Sequence, residues 1–146
     1  MISVLALLVI AFLFKAACEN LGMSEYIISK VAPLMAGQAL PFVVFLVSTL
    51  MTFALANAWG VSAIMVPFVI PLAQAIDANL AVAIAAIFSG SVCGTQLCFY
   101  SDNSILIGQA TGIQPMDHVK TQMPFALCAA ALTSITYLAY GFLFLG

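Results

Sequence analysis

The chain has 146 residues and a mass of 15.3 kDa, with 65% hydrophobic and 5% charged residues and a mean hydropathy of +1.22. That balance excludes an ordinary soluble domain and points to an all-α membrane protein, whose length allows roughly four or five crossings of a hydrocarbon layer about 30 Å thick. Three Lys, no Arg and one His, at a net charge of -2, leave no basic surface for nucleic acid, and no large extramembrane domain fits in what remains.

Residues 1–15 are predicted as a transmembrane helix. The run has signal-peptide length, but it lacks a basic n-region, and Lys15 interrupts the approach to Cys18 that a lipoprotein cleavage site needs. Residues 16–38 follow as an interfacial segment. Glu19, Glu25 and Lys30 cluster here, and Tyr26, Ile27, Val31 and Leu34 can share a face away from Glu25, Ser29 and Lys30, as in a helix lying along the headgroups.

Residues 41–76 are apolar except for Asn57-Ala58-Trp59-Gly60-Val61-Ser62. The two arms reach about 22 to 25 Å each, slightly less than a full crossing. A re-entrant helical hairpin with its tip at 57–62 is the economical reading, and two short spans joined by a turn at Asn57 to Gly60 are the alternative. Pro67 and Pro71 are expected to weaken the second arm and free carbonyls. A non-helical tip at membrane depth must be buried by protein or face a water-lined cavity.

Residues 79–111 read as one broken transmembrane helix: an apolar stretch rich in Ala and Ile, a polar break at 94–104, and a resumed apolar stretch before Thr111-Gly112 and the helix-limiting Pro115. Residues 114–122 form a polar connection carrying Asp117, His118 and Lys120, and 123–146 make the final transmembrane helix. Lys15 and Lys30 fall on one side and Lys120 on the other, a bias too small to set orientation.

Asp102 is the carboxylate that falls deep inside a predicted span. Intramembrane carboxylates are costly, usually face a cavity or partner, and mark ion or proton pathways. Burial disfavours the charged form and a bound cation favours it, so a proton and a cation would compete for this group, which suffices for exchange. Capping of the half-helix that resumes near Ser104 is the structural alternative. Ser101, Asn103 and Ser104 add hydroxyl and amide oxygens suited to sodium, while the same half-helix N-terminus could receive a substrate carboxylate.

Asn57, Trp59, Gly60 and Ser62 make a second polar cluster: Gly60 permits a tight reversal, Asn57 supplies oxygens, and the place of Trp59 beside the interruption favours a tip role, with an interfacial anchor as the alternative. Gly90 and Gly94 form a small-xxx-small pair for close helix packing. Cys18, Cys93, Cys98 and Cys128 lack metal-binding spacing and read as packing residues. His118 reads as solvated or interfacial, and Asp77 with Asn79 as turn chemistry. No Ser-His or Cys-His pairing is visible, so an enzyme is not expected.

Three segments carry a family likeness. The run from Asn57 through Trp59, Gly60 and Val61 to Pro67 and Pro71 resembles an SWGT-type stretch. Gly94 with Ser101-Asp102-Asn103-Ser104 resembles a GDHxSPxSDTT stretch, and Asp117-His118-Val119-Lys120-Thr121-Gln122-Met123-Pro124 resembles the start of DHVRTQLPYAL. Together these resemble the C-terminal half of an NhaC-type sodium/proton antiporter of the ion transporter superfamily. The resemblance implies two inverted repeats, each giving a re-entrant hairpin and a broken helix to a midplane site. It places Asn57, Trp59 and Gly60 at the hairpin tip and Ser101 and Asp102 at the broken helix. Where the family has Asp-His after the glycine this chain has Thr95-Gln96, which removes two titratable groups and favours relatives that exchange organic acids.

The sequence is therefore read as one repeat of an ion-transporter-type fold, multi-pass in a bacterial inner membrane. Its activity is read as cation-coupled antiport, sodium/proton exchange first. Sodium- or proton-coupled organic acid exchange and a non-transporting membrane subunit are the alternatives. Its partners are the lipid bilayer, sodium and protons or a small organic acid, and either a second copy or a complementary half-transporter chain. No cofactor is expected, and no metal beyond a transported sodium at Asp102.

Overall fold

The computed structural model describes residues 39–144 together with position 13. The expected first span at 1–15 and the interfacial segment at 16–38 thus lie, apart from Leu13, outside the described residues. Those residues form helices α1 (Leu40–Leu55), α2 (Ala58–Ala75), α3 (Leu80–Leu97), α4 (Asp102–Thr111) and α5 (Pro115–Phe144). The chain is an all-α, multi-pass membrane protein: α2, α3 and residues Pro115–Leu143 of α5 are long and apolar enough to cross a bilayer, and α1 is a shorter apolar helix.

The start of α1 is set by Pro41, whose missing N–H would have no partner there in any case. Its end is set by Ala56 in the left-handed region at φ 56°, whose N–H closes on the Thr52 carbonyl at 2.8 Å. Asn57 is extended and caps α2 by accepting the Gly60 N–H at 3.0 Å. The interruption is therefore two residues long, 56–57, rather than 57–62, because side-chain capping lets the second helix begin at once. Trp59, Gly60 and Ser62 belong to the opening turns of α2. That helix continues through Pro67 and Pro71, although each proline removes a donor from its interior.

Asn79 caps α3 by accepting the N–H groups of Ala81 and Val82. The break that follows spans residues 98–101, narrower than 94–104. Gly94, Thr95 and Gln96 stay helical because tertiary packing overrides the weak propensity of glycine, as described next. The expected polar connection at 114–122 is not a separate element either: Pro115 opens a single 30-residue helix that runs through it and past Pro124. At about 1.5 Å per residue α5 is about 45 Å long, enough to carry its polar first turns beyond the hydrocarbon.

The closest packing is between α1 and α3. A methyl group added to Gly90 would stand 2.5 Å from the Phe45 carbonyl oxygen and 2.9 Å from Ser48 Cβ. At Gly94 it would stand 2.5 Å from the Thr49 carbonyl oxygen and 2.7 Å from Thr52 Cβ. These pairs advance together, so the two helices run in the same direction, with backbone against backbone along the Gly90–Gly94 face. Beside this seam, Leu40, Val44 and Phe45 of α1, Val69 and Ala73 of α2 and Ala83, Ala86 and Ile87 of α3 form the apolar core.

Hydroxyl and amide pairs fasten the remaining helices to α3. Ser62 donates to Ser91 at 3.2 Å from α2; from α5, Tyr137 pairs with Ser89 at 2.8 Å and the Gln122 amide donates to Gln96 at 2.7 Å. The Tyr137 ring also packs on Phe45, with centroids 5.6 Å apart. Most of α5 is exposed beyond these contacts.

Gly90→Ala and Gly94→Ala should each lower stability by about 1–3 kcal/mol, because the obstacle is main chain that cannot rotate away. Gly60→Ala should cost less, since its nearest neighbour is the movable Asn57 side chain. Thermal unfolding in detergent, followed by circular dichroism, ranks the three.

Candidate functional site

The helix break is a knuckle made rigid by two buried serines. The chain leaves α3 at Cys98, which is extended, and re-enters helix at Asp102, so the last carbonyls of α3 and the first N–H groups of α4 need partners from nearby. Ser101 and Ser104 supply them. The Ser101 hydroxyl donates to the Thr95 carbonyl at 2.9 Å and accepts the Ser104 N–H at 3.3 Å, as the cap of α4. The Ser104 hydroxyl donates to the Cys98 carbonyl at 3.0 Å and lies 2.9 Å from Ser101 Oγ. Both side chains are buried. Thr95 is buried too, its hydroxyl turned back on the Val92 carbonyl at 2.7 Å.

Asp102 follows directly in the first turn of α4, where a carboxylate balances the positive end of the helix dipole. Its Oδ1 accepts the Asn103 N–H at 2.8 Å, and the residue is exposed in this chain by itself. Asn103 is half-buried beside it. The knuckle thus divides the predicted oxygens into two sets. The hydroxyls of Ser101 and Ser104 are committed to backbone groups, whereas the Asp102 carboxylate is exposed and bonds only to the Asn103 N–H.

At the hairpin, Asn57 and Gly60 are brought together as cap and capped N–H, and Trp59 stands 81% exposed. Gln96 points away from both clusters, paired with Gln122 of α5. Among the described residues no hydrogen bond joins Asn57, Trp59 or Gly60 to Asp102.

A link between tip and break does exist, through a residue that sequence reasoning did not single out. The Tyr100 hydroxyl donates to the Ala54 carbonyl at 3.0 Å, with the Phe53 carbonyl at 3.4 Å, across 46 and 47 residues of chain. A tyrosine within a polar run was the only signal available, and its partners are backbone atoms that carry no sequence signature. Ser48 and Thr52 also stand out: both are fully buried on α1, and their hydroxyls have no hydrogen-bond partner. No group of three or more His, Cys, Asp or Glu side chains that could hold a metal occurs among the described residues.

A model of the family described as "Na+/H+ antiporter family" matches residues 1–142. An uncharacterized protein of Haemophilus influenzae is 31% identical over 147 residues, an alignment that covers 97% of this chain and 28% of that relative. The chain thus spans little more than a quarter of the length of the relative it matches. No solved structure matches it.

Because Ser101 anchors both sides of the knuckle, while the exposed Asp102 holds only the neighbouring Asn103 N–H, a bond that asparagine can keep, their substitutions should separate. Ser101→Ala should lower stability by about 1–2 kcal/mol, the range for losing a helix cap with a buried acceptor left unpaired. Asp102→Asn should stay within about 0.5 kcal/mol of wild type, as exposed substitutions do. Both are read from unfolding midpoints in one detergent.

Proposed function

The chain belongs to the Na+/H+ antiporter family, and from that premise we propose that it is a cation-coupled antiport module of a bacterial inner membrane, with Asp102 as the group that a cation and a proton occupy in turn. One observation carries the reading. Of the carboxylates described, Asp77 lies in the turn before α3, and Asp117 pairs with Lys120 at 3.6 Å at the start of α5, whereas Asp102 stands at a helix break between apolar segments. An open carboxylate there has the chemistry that exchange requires: it binds either a hard cation or a proton, never both at once.

Sodium is the first candidate for the cation. Asn103, the Asn57 amide and the carbonyls at the hairpin tip are oxygen donors that could complete its shell, and α1 with α2 would act as a re-entrant hairpin around a site near the bilayer midplane. One feature favours organic acid exchange as the second reading. Gln96, at a place where the resembled family carries a titratable residue, is neutral and satisfied by Gln122, so the proton traffic available here is smaller. In either case the rest of the site would come from a second copy or a complementary half, packed over the exposed Asp102.

The test is reconstitution in liposomes enclosing a pH dye, with sodium, potassium and lithium added in turn. Cation-dependent proton movement is expected from wild type and should fall at least tenfold in Asp102→Asn, a loss of about 1.4 kcal/mol or more in the coupled step. Equal fluxes from the two would remove Asp102 from the mechanism.

A further inference from the structure

We infer that Tyr100 is the positioning residue of this site: by donating its hydroxyl to the carbonyl end of α1, it holds the hairpin tip against the helix break and so fixes where Asp102 stands relative to that tip. The functional half of this inference rests on the antiport reading above, while its geometric half does not.

The attachment begins with an unmet need. The last four carbonyls of a helix have no partner within it, and a carbonyl unsatisfied in an apolar layer is costly. At the end of α1 the Thr52 carbonyl is satisfied by the Ala56 N–H. The left-handed turn at Ala56 and the extended Asn57 then carry the chain into α2, whose first N–H groups bond to Asn57 instead. Phe53 and Ala54 are left to a donor from elsewhere. The Tyr100 hydroxyl is that donor.

Its position follows from the packing. α1 and α3 run side by side with Gly94 against Thr49, Thr52 and Phe53. The chain leaving α3 therefore arrives at the carbonyl end of α1, and Tyr100 closes the seam there. The ring itself is 58% exposed, so burial is not what holds it. The hydroxyl is the specific contact, and it can be removed without opening a cavity.

Both ends of the link are short levers. Tyr100 is two residues before Asp102, on a knuckle clamped by Ser101 and Ser104, and Ala54 is two residues before the turn at Ala56 and Asn57. Two residues span at most about 7 Å, so a bond at Tyr100 constrains both groups closely. Asp102 has no side-chain partner on the hairpin, and this one tyrosine does for the pair what a direct bond would.

Tyr100→Phe keeps the ring and removes the donor. Two measurements on the full chain in lipid nanodiscs and liposomes decide the inference. In amide hydrogen exchange, residues 54–62 should exchange about tenfold faster in Tyr100→Phe, while residues 83–91 in the core of α3 stay unchanged. In the liposome assay, the KM for the coupling cation should rise about tenfold with kcat changed by less than about threefold, since loosened ligands cost binding before they cost turnover. A tyrosine that only helps the chain fold would lower the amount of active protein and leave KM where it was.

Unchanged exchange at the tip overturns the inference whatever transport does. Faster exchange with an unchanged KM overturns its functional half. If wild type moves no protons, the reading of this chain as a sufficient cation/proton exchanger falls. The exchange experiment alone then judges the link, with faster tip exchange supporting it.

Discussion

The contact of Gly90 and Gly94 with the main chain of α1 is the constraint on which the rest of the structure depends. A membrane offers little hydrophobic drive for helices to associate, so close backbone approach has to provide the attraction through dispersion. Only glycine permits the separation seen here, since a single Cβ would collide with the carbonyls of Phe45 and Thr49. Parallel pairing of α1 with α3 follows from this seam. So does the meeting of two features that lie more than forty residues apart in the chain, the end of the hairpin's first arm and the end of the broken helix.

The two interruptions are shaped around that meeting point by local hydrogen bonds. Asn57 caps α2, Ser101 caps α4, and Ser104 closes on the carbonyl of Cys98. Each uses its side chain to satisfy backbone groups that the helix ends leave without partners. The hydroxyls of Ser101 and Ser104 serve as joints, and the Asp102 carboxylate between them remains exposed. The unpartnered hydroxyls of Ser48 and Thr52 lie along the same seam as the glycines, so α1 meets α3 there without a side-chain hydrogen bond from either residue.

Part of this was legible because it depends on composition and on local chemistry. The apolar runs marked α1, α2, α3 and α5; Asn57 marked the hairpin turn; Gly90 and Gly94 marked a packing face; Ser101 to Ser104 marked the break. What was misjudged was extent. The hairpin interruption was expected over 57–62 and occupies 56–57, and the second break was expected over 94–104 and occupies 98–101. The residues 114–122 were expected as a polar connection, and 115–122 lie within α5. Polarity is a poor guide to helix ends where capping side chains and helix neighbours supply the bonds, because a polar residue can be helical as readily as it can end a helix.

The sequence by itself determined the class of the protein: a membrane-embedded helical bundle with two interruptions and one isolated carboxylate. These follow from the free energy of transferring each segment into lipid and from the cost of an unmatched charge there, which are properties of residues taken nearly singly. Only the tertiary structure decided which oxygens are spent on the backbone and which stay open, and that Tyr100 joins the two interruptions. Those outcomes turn on distances between groups far apart in the chain, set by how closely α1 can lie against α3, and no reading of neighbours in sequence contains them.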